Sequence, residues 1–225
     1  MGALALLSAC APADQEPETG ASPTNTVSTE SNATPELVGQ ISPDTQSFLE
    51  SMSRSSEFST DFSIHSEDID GIISGGPPKD GIPAIDVPRY EDIASADAWL
   101  EPEEPVIQVE VDGVARAYPI QILVWHEIVN DELNGLPLAV TFCPLCNTAI
   151  VFERQLDDQT LDFGTTGRLR YSNLIMYDRQ TESWWQQANG EAIIGEYTGQ
   201  RLSFYPGLIV AWQDFKTAFP NGDVL

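Results

Sequence analysis

The chain has 225 residues, enough for one domain with a full core or for a domain of about 150 residues with tails. Its 35 acidic residues against 10 Lys and Arg give a formal charge of −25, a surface that repels phosphate backbones and anionic headgroups. Nucleic-acid partners are therefore not expected, and any membrane attachment needs something other than a basic patch. The composition changes near residue 60. The first sixty residues hold eight acids and one base, Arg54, which leaves the remainder near −18.

Residues 1–9 read as a signal peptide, apolar and then small, and Leu7-Ser8-Ala9-Cys10 resembles the bacterial lipoprotein box. On that reading Cys10 is the lipidated residue, an anchor rather than a ligand, and the protein is extracytoplasmic, held at the cell membrane or outer membrane. The basic region that normally opens such a signal is missing, so a start farther upstream is the expectation. The apolar run is shorter than the roughly twenty residues that span a bilayer. Residues 10–60 are rich in Ser, Thr, Pro, Asn and Glu, with few large apolar groups to offset ordering entropy, and read as a disordered tether. Within it Thr45 to Met52 has helical spacing, with Phe48, Leu49 and Met52 on one face.

The folded part is expected over residues 61–225. Asp61 to His65 alternates as a first strand, and Ser74 to Pro83 is a dense turn cluster in which Lys79 and Asp80 are candidates to reach a site. Asp92 to Leu100 has the spacing of a short helix. Val106–Val111 and Val114–Pro119 flank Asp112-Gly113, residues that accept the positive φ of a tight hairpin turn. Ile120, Val124 and Ile128 then recur at four, predicting a helix to Val129 that carries Trp125 and His126. Leu138–Phe142 and Ala149–Phe152 are predicted strands on either side of Cys143 and Cys146. Further strands are expected at Thr160–Phe163, Leu169–Tyr171, Leu174–Tyr177, Ser183–Gln187 and Ala192–Tyr197, and a short helix at Trp212–Phe219. The fold class is α+β, mainly β, with antiparallel strands and a few short helices in a single domain. Asn221-Gly222 should hand over to a strand just where the sequence stops, so a further carboxy-terminal segment is expected.

Five stretches then stand together in order: Gly75 to Pro83 (GGPPKDGIP), Trp125 to Asp131 (WHEIVND), Thr141 to Asn147 (TFCPLCN), Phe163 to Gly167 (FGTTG) and Met176 to Gln187 (MYDRQTESWWQQ). They resemble the bacterial and archaeal family catalogued as domain of unknown function 3179 over residues 60 to 225. The resemblance implies frequent export or lipid anchoring and a chain that continues beyond residue 225. It implies no activity, so the chemistry has to come from the residues.

Cys143 and Cys146 have the Cys-x-x-Cys spacing at which two thiolates converge on one ion. A closed structural zinc site needs a second pair, and Cys10 is committed elsewhere. With His126 the pair is expected to make an open soft-metal site for copper or zinc, in which Glu127, Asn130 and Asp131 would orient the ligands from behind, and an oxidoreductase is the activity that such a site would suit. Two alternatives stand beside it: a thiol–disulfide redox pair, and a structural disulfide in a non-catalytic binding module. No βαβ pattern precedes the motif, which argues against a thioredoxin-like frame. Arg168, Arg170, Asn173, Asp178 and Arg179 are candidate substrate-binding residues, since arginine there would clamp an anion; the blander reading is that they satisfy buried backbone and each other. His65 is expected to be structural, and Trp184, Trp185 and Trp212 to be packing groups.

Overall fold

A computed structural model describes residues 41–66 and 69–225, all within one compact unit. In chain order the elements are α1 (Pro43–Ser53), β1 (Ile72–Ser74), β2 (Glu91–Asp92), α2 (Ile93–Ala96), β3 (Pro105–Val111), β4 (Val114–Pro119), α3 (Ile120–His126), β5 (Ile128–Leu133) and β6 (Leu136–Cys143). They continue with β7 (Thr148–Glu153), β8 (Gln155–Leu156), β9 (Gln159–Thr160), β10 (Phe163–Arg170), β11 (Asn173–Asp178), β12 (Trp184–Gln186), β13 (Glu191–Ile194), β14 (Phe204–Tyr205), β15 (Leu208–Ala211), α4 (Trp212–Ala218) and β16 (Asp223–Val224). The protein is thus mainly β with four short helices among the described residues, and its sheets are antiparallel except where β16 runs parallel to β4.

Three sheets are stacked beside a small β8-β9 ribbon; α1, α2 and α4 cover outer faces, and α3 adds Leu123 to the core between the central and third sheets. The first has the order β1-β10-β11-β12-β13, the central one β14-β7-β6-β5, and the third β15-β3-β4-β16-β2. Side chains alternate along a strand, and β6 shows what that does here. Leu138, Val140 and Phe142 enter the core shared with the third sheet, while Ala139 and Cys143 enter the core shared with the first. On β11, Leu174 and Met176 face the central sheet, whereas Ile175 and Tyr177 face outward onto the layer that contains α1. Buried on both faces, these strands read as continuous apolar runs.

Two hairpins have the left-handed turn pairs that their sequences demand. Asp112-Gly113 (φ 49 and 85) joins β3 to β4, and Asn134-Gly135 (φ 50 and 81) joins β5 to β6, geometry that fits the right-handed strand twist.

Several expectations are corrected. Residues 43–53 are a helix capped by the Ser42 hydroxyl, and Leu49, Met52, Phe58 and Phe62 pack on Trp184 and Ile175 of the first sheet. The packed region among the described residues thus begins well before residue 61, because these apolar groups find a partner surface more than a hundred residues away. The Asp61–His65 strand is reduced to one bridge, His65 to Ile194. α3 ends at His126, since Glu127 turns left-handed (φ 59, ψ −30), and Ile128 begins β5. The amino-terminal expectations, including Cys10, lie outside the described residues. No helix among those described is long and apolar enough to cross a membrane.

Candidate functional site: a dithiol turn beside a carboxyl-lined cavity

Cys143 is the last residue of β6 and pairs with Thr148 at the start of β7, so Pro144 to Asn147 form the turn between two core strands. Strand alternation sends Cys143 inward, where it is 1% exposed. Cys146 is half-buried against the same core, and Leu145 stands out at the tip, 69% exposed. Both thiols are free.

The turn between β10 and β11 meets this one. Tyr171 and Ser172 take left-handed φ of 51 and 64, the Ser172 carbonyl lies 3.9 Å from the Cys143 sulfur, and β11 then opens on Asn173. The Asn173 amide is oriented by its neighbours. Its Oδ1 accepts from the Ala188 backbone N–H at 2.9 Å and from Gln186 Nε2 at 2.5 Å, leaving Nδ2 to donate to Gln187 Oε1 at 2.6 Å and to the Cys146 sulfur at 3.2 Å. Gln187 is in turn held through its Nε2 by Thr141 Oγ1 and the Thr148 carbonyl, both at 3.0 Å. The Asn173 amide is thus held on both its oxygen and its nitrogen side, which preorganises the N–H toward the sulfur.

The two thiols are consequently unequal. Burial pushes Cys143 up to about 11, and hydrogen bonding to Cys146 adds to the shift. Burial opposes ionisation of Cys146 as well, but hydrogen bonds with Cys143, Thr148 and Asn173 outweigh it and hold Cys146 below the ordinary thiol value. The Thr148 hydroxyl has one proton and also lies 3.0 Å from the Cys146 carbonyl, so the Asn173 N–H is the donor that geometry commits to the sulfur. The arrangement is a more acidic thiol at Cys146, favoured by an amide donor rather than by a helix dipole, beside a thiol that burial keeps protonated.

A cavity of about 280 Å³ lies against the other side of the turn, bounded by Pro144 and Leu145. Its remaining walls come from the Gly75–Ile82 loop, Val124 and Glu127 at the end of α3, Thr165 to Leu169 of β10, and Leu174. Four of the five stretches on which the resemblance rests therefore converge here. Leu174 also donates its backbone N–H toward the Cys143 sulfur. The close seating of the loop requires a glycine at 167, where φ is +68 and a Cβ would stand 2.0 Å from the Pro77 carbonyl oxygen. Burial holds the Glu127 carboxyl up to about 7.

The expected three-ligand metal cluster is not assembled: among the described residues no three His, Cys, Asp or Glu side chains gather into a group that would hold an ion. His126 is tied elsewhere, its Nδ1 2.8 Å from the Pro83 carbonyl, which can only accept, so that nitrogen carries the proton. Asn130 and Asp131 do not orient His126. Asn130 bonds both backbone groups of Phe163, at 2.8 and 2.9 Å, and Asp86. Asp131 is buried and accepts from Arg116, Tyr90 and Tyr118.

Of the five substrate-binding candidates, Asn173 joins the dithiol and Arg168 lines the cavity, its guanidinium bound to Glu57 at 2.9 Å. Arg170 stacks on Tyr171, with its Nε donating to the Asp70 carbonyl at 3.1 Å. Asp178 is buried and accepts from Trp185 Nε1 at 2.9 Å. Arg179 pairs with Asp86 at 3.1 Å and Asp80 at 3.7 Å. Lys79 pairs with Glu182 and Asp80 accepts from the Tyr177 hydroxyl, so neither reaches the thiols. Gln186, Gln187 and Thr148 were not singled out by the sequence. The adjacent glutamines on a strand that is otherwise tryptophan-rich were the available signal, since buried amides must be hydrogen-bonded.

Sheets, dithiol turn and cavity together define a β-rich domain with a preorganised Cys-x-x-Cys. Residues 79–225 match the family described as protein of unknown function (DUF3179), and the chain belongs to that family. No curated protein and no solved structure matches the chain.

Proposed function

We propose that the protein is a thiol–disulfide oxidoreductase with Cys146 as its attacking sulfur. The observation that carries this is the Asn173 amide, locked by Gln186, Gln187 and Ala188 so that it donates to Cys146, next to a second thiol held protonated by burial. In the forward direction the Cys146 thiolate attacks a substrate disulfide, forming a mixed disulfide and expelling one substrate thiolate. Cys143 then loses its proton to solvent and attacks the Cys146 sulfur. An internal disulfide forms and the second substrate thiolate leaves, so the substrate gains two electrons and the protein loses them. The two thiols share one four-residue turn, the Cys146 sulfur lying 3.9 Å from the Cys143 carbonyl. The reverse reaction, which oxidises a substrate dithiol, uses the same steps, and the relative potentials set the direction. An extracytoplasmic setting with a lipid anchor on Cys10 belongs to the same proposal, and Cys10→Ala should move the protein from the membrane to the soluble fraction.

The test is turnover of a fluorogenic peptide disulfide by the full chain with a dithiol donor. Cys146→Ser abolishes turnover, while Cys143→Ser accumulates a mixed disulfide at Cys146 detectable by mass spectrometry. Wild-type protein without exchange activity, or two cysteines that alkylate with the same pH midpoint, sinks the proposal.

A second reading is favoured by the two free sulfurs in one turn: a copper(I) ion bound by Cys143 and Cys146 alone. Zinc, which takes four protein ligands in closed sites, is not served by two sulfurs. Copper(I) stoichiometry measured in competition with a chromophoric chelator tests this, and equal affinity in Cys146→Ser excludes it.

A further inference from the structure

We propose that the cavity beside the dithiol turn takes the side chain of a lysine or arginine adjacent to the disulfide of a polypeptide substrate, with the Glu127 carboxylate as its ion-pair partner. The inference rests on the thiol–disulfide reading and names a substrate class for it.

Shape is the first argument. At about 280 Å³ the cavity falls at or below the roughly 300 Å³ at which small-molecule sites begin, which suits one long side chain. Pro77, Ile82, Val124, Leu145 and Leu174 offer apolar walls, and Glu127 is the acid among the lining residues. An aliphatic stem ending in a cation matches that lining, because lysine and arginine bury the stem and present the charge.

The second argument is the carboxyl itself. Glu127 is half-buried in the cavity wall and its side chain has no hydrogen-bond or ion-pair partner among the described residues, which leaves the carboxyl available to a ligand. Arg168 lines the same cavity, but its guanidinium is committed to Glu57 at 2.9 Å and lies by the Thr166 and Gly167 carbonyls at 3.4 and 3.5 Å. No cation among the described residues pairs with Glu127, so the ligand brings one. An arriving ammonium would restore the carboxylate form of a group that burial now holds up to about 7, releasing a proton near neutral pH. Position completes the case: Pro144 and Leu145 are at once cavity wall and the link between the two cysteines, so a side chain seated there places its own neighbours at the turn. The net charge of −25 steers basic partners toward such a site.

The experiment uses the full chain and three disulfide-bonded peptides that differ only at the residue beside the disulfide: lysine, norleucine or glutamate. The lysine peptide should exceed the norleucine peptide in kcat/KM by about tenfold or more, the scale of one charged hydrogen bond, with glutamate poorest. In Glu127→Gln, which removes charge and keeps shape, lysine and norleucine become equal. A lysine preference that survives Glu127→Gln overturns the proposal, and so does an equal loss on all three peptides, which would instead place Glu127 in proton transfer. Calorimetry with the three peptides gives a second readout, in protein whose Cys143 and Cys146 are both replaced by serine. Tighter binding of the lysine peptide with proton release is expected, and equal affinities overturn the assignment. If wild type turns over no peptide while the calorimetric preference stands, the redox reading falls and the cavity assignment survives.

Discussion

Asn173 shows how much of the site is decided by single groups. Replacing it with Asp removes the N–H donors and places an acceptor against the Cys146 sulfur, so Cys146 should become a weaker acid. Its alkylation by iodoacetamide at pH 7 should slow by roughly tenfold, the worth of one hydrogen bond to a charged group. A rate equal to wild type would show that the amide does not set the thiolate. Glu127 makes a prediction about stability. Its carboxyl titrates near 7 when folded and near 4.5 as a free side chain, so the native state holds the proton more tightly than the unfolded chain does. The stability this contributes is present at low pH, is lost as pH rises from about 4.5 to about 7, and is flat above that. Glu127→Gln should therefore gain on wild type over that window, by up to ~3 kcal/mol and less where solvent screens the charge, as read from urea midpoints at pH 4 and pH 8. A gap that narrows with rising pH would contradict the burial of this carboxyl.

At the level of elements, what could be read beforehand was what is local. Asp112-Gly113 specified its hairpin because the turn residues themselves carry the positive φ, and the apolar runs of β6, β7 and β11 announced buried strands. The spacing of Leu49 and Met52 showed a helix but not its partner, since Trp184 lies more than a hundred residues along the chain. Packing on that surface made the described end of the apparent tether, residues 41–60, part of the body. The four-residue spacing of Ile120, Val124 and Ile128 overran α3 because nothing in Glu127 marks a left-handed cap. Asn134-Gly135 was a second hairpin signal, and it would have restored β5. The dithiol was evident as spacing. The cavity was not, because its walls come from segments whose meeting depends on sheet order. Two variants test these elements. Leu49→Ala should cost about 2–5 kcal/mol, measured by denaturant unfolding; a cost near zero would mean that α1 does not pack as described. Gly167→Ala meets the Pro77 carbonyl and should release the Gly75–Pro83 loop, seen as faster amide exchange there.

Across the whole molecule, the stack of three sheets explains why the site is rigid on one side and open on the other. The central sheet is covered on both faces, and the Cys-x-x-Cys turn projects from one of its ends. The charge of −25 acts over longer distances than any contact at the turn. Exposed charges are screened beyond about 8 Å at physiological ionic strength, so the part of the lysine preference due to steering should fall between 20 and 500 mM salt, while the part due to Glu127 persists. A preference that vanishes entirely with salt would assign selectivity to the surface and not to the cavity.

Cys143 belongs both to the proposed exchange reaction and to the packed interior, as the terminal residue of a strand that feeds two cores. Oxidation and unfolding therefore form a closed thermodynamic cycle. Any strain that the internal disulfide imposes on the interior must appear twice, once as a lower melting temperature of the oxidised form and once as a more oxidising potential. About 30 mV corresponds to 1.4 kcal/mol for a two-electron couple. A calorimeter and an electrode would then be measuring the same free energy.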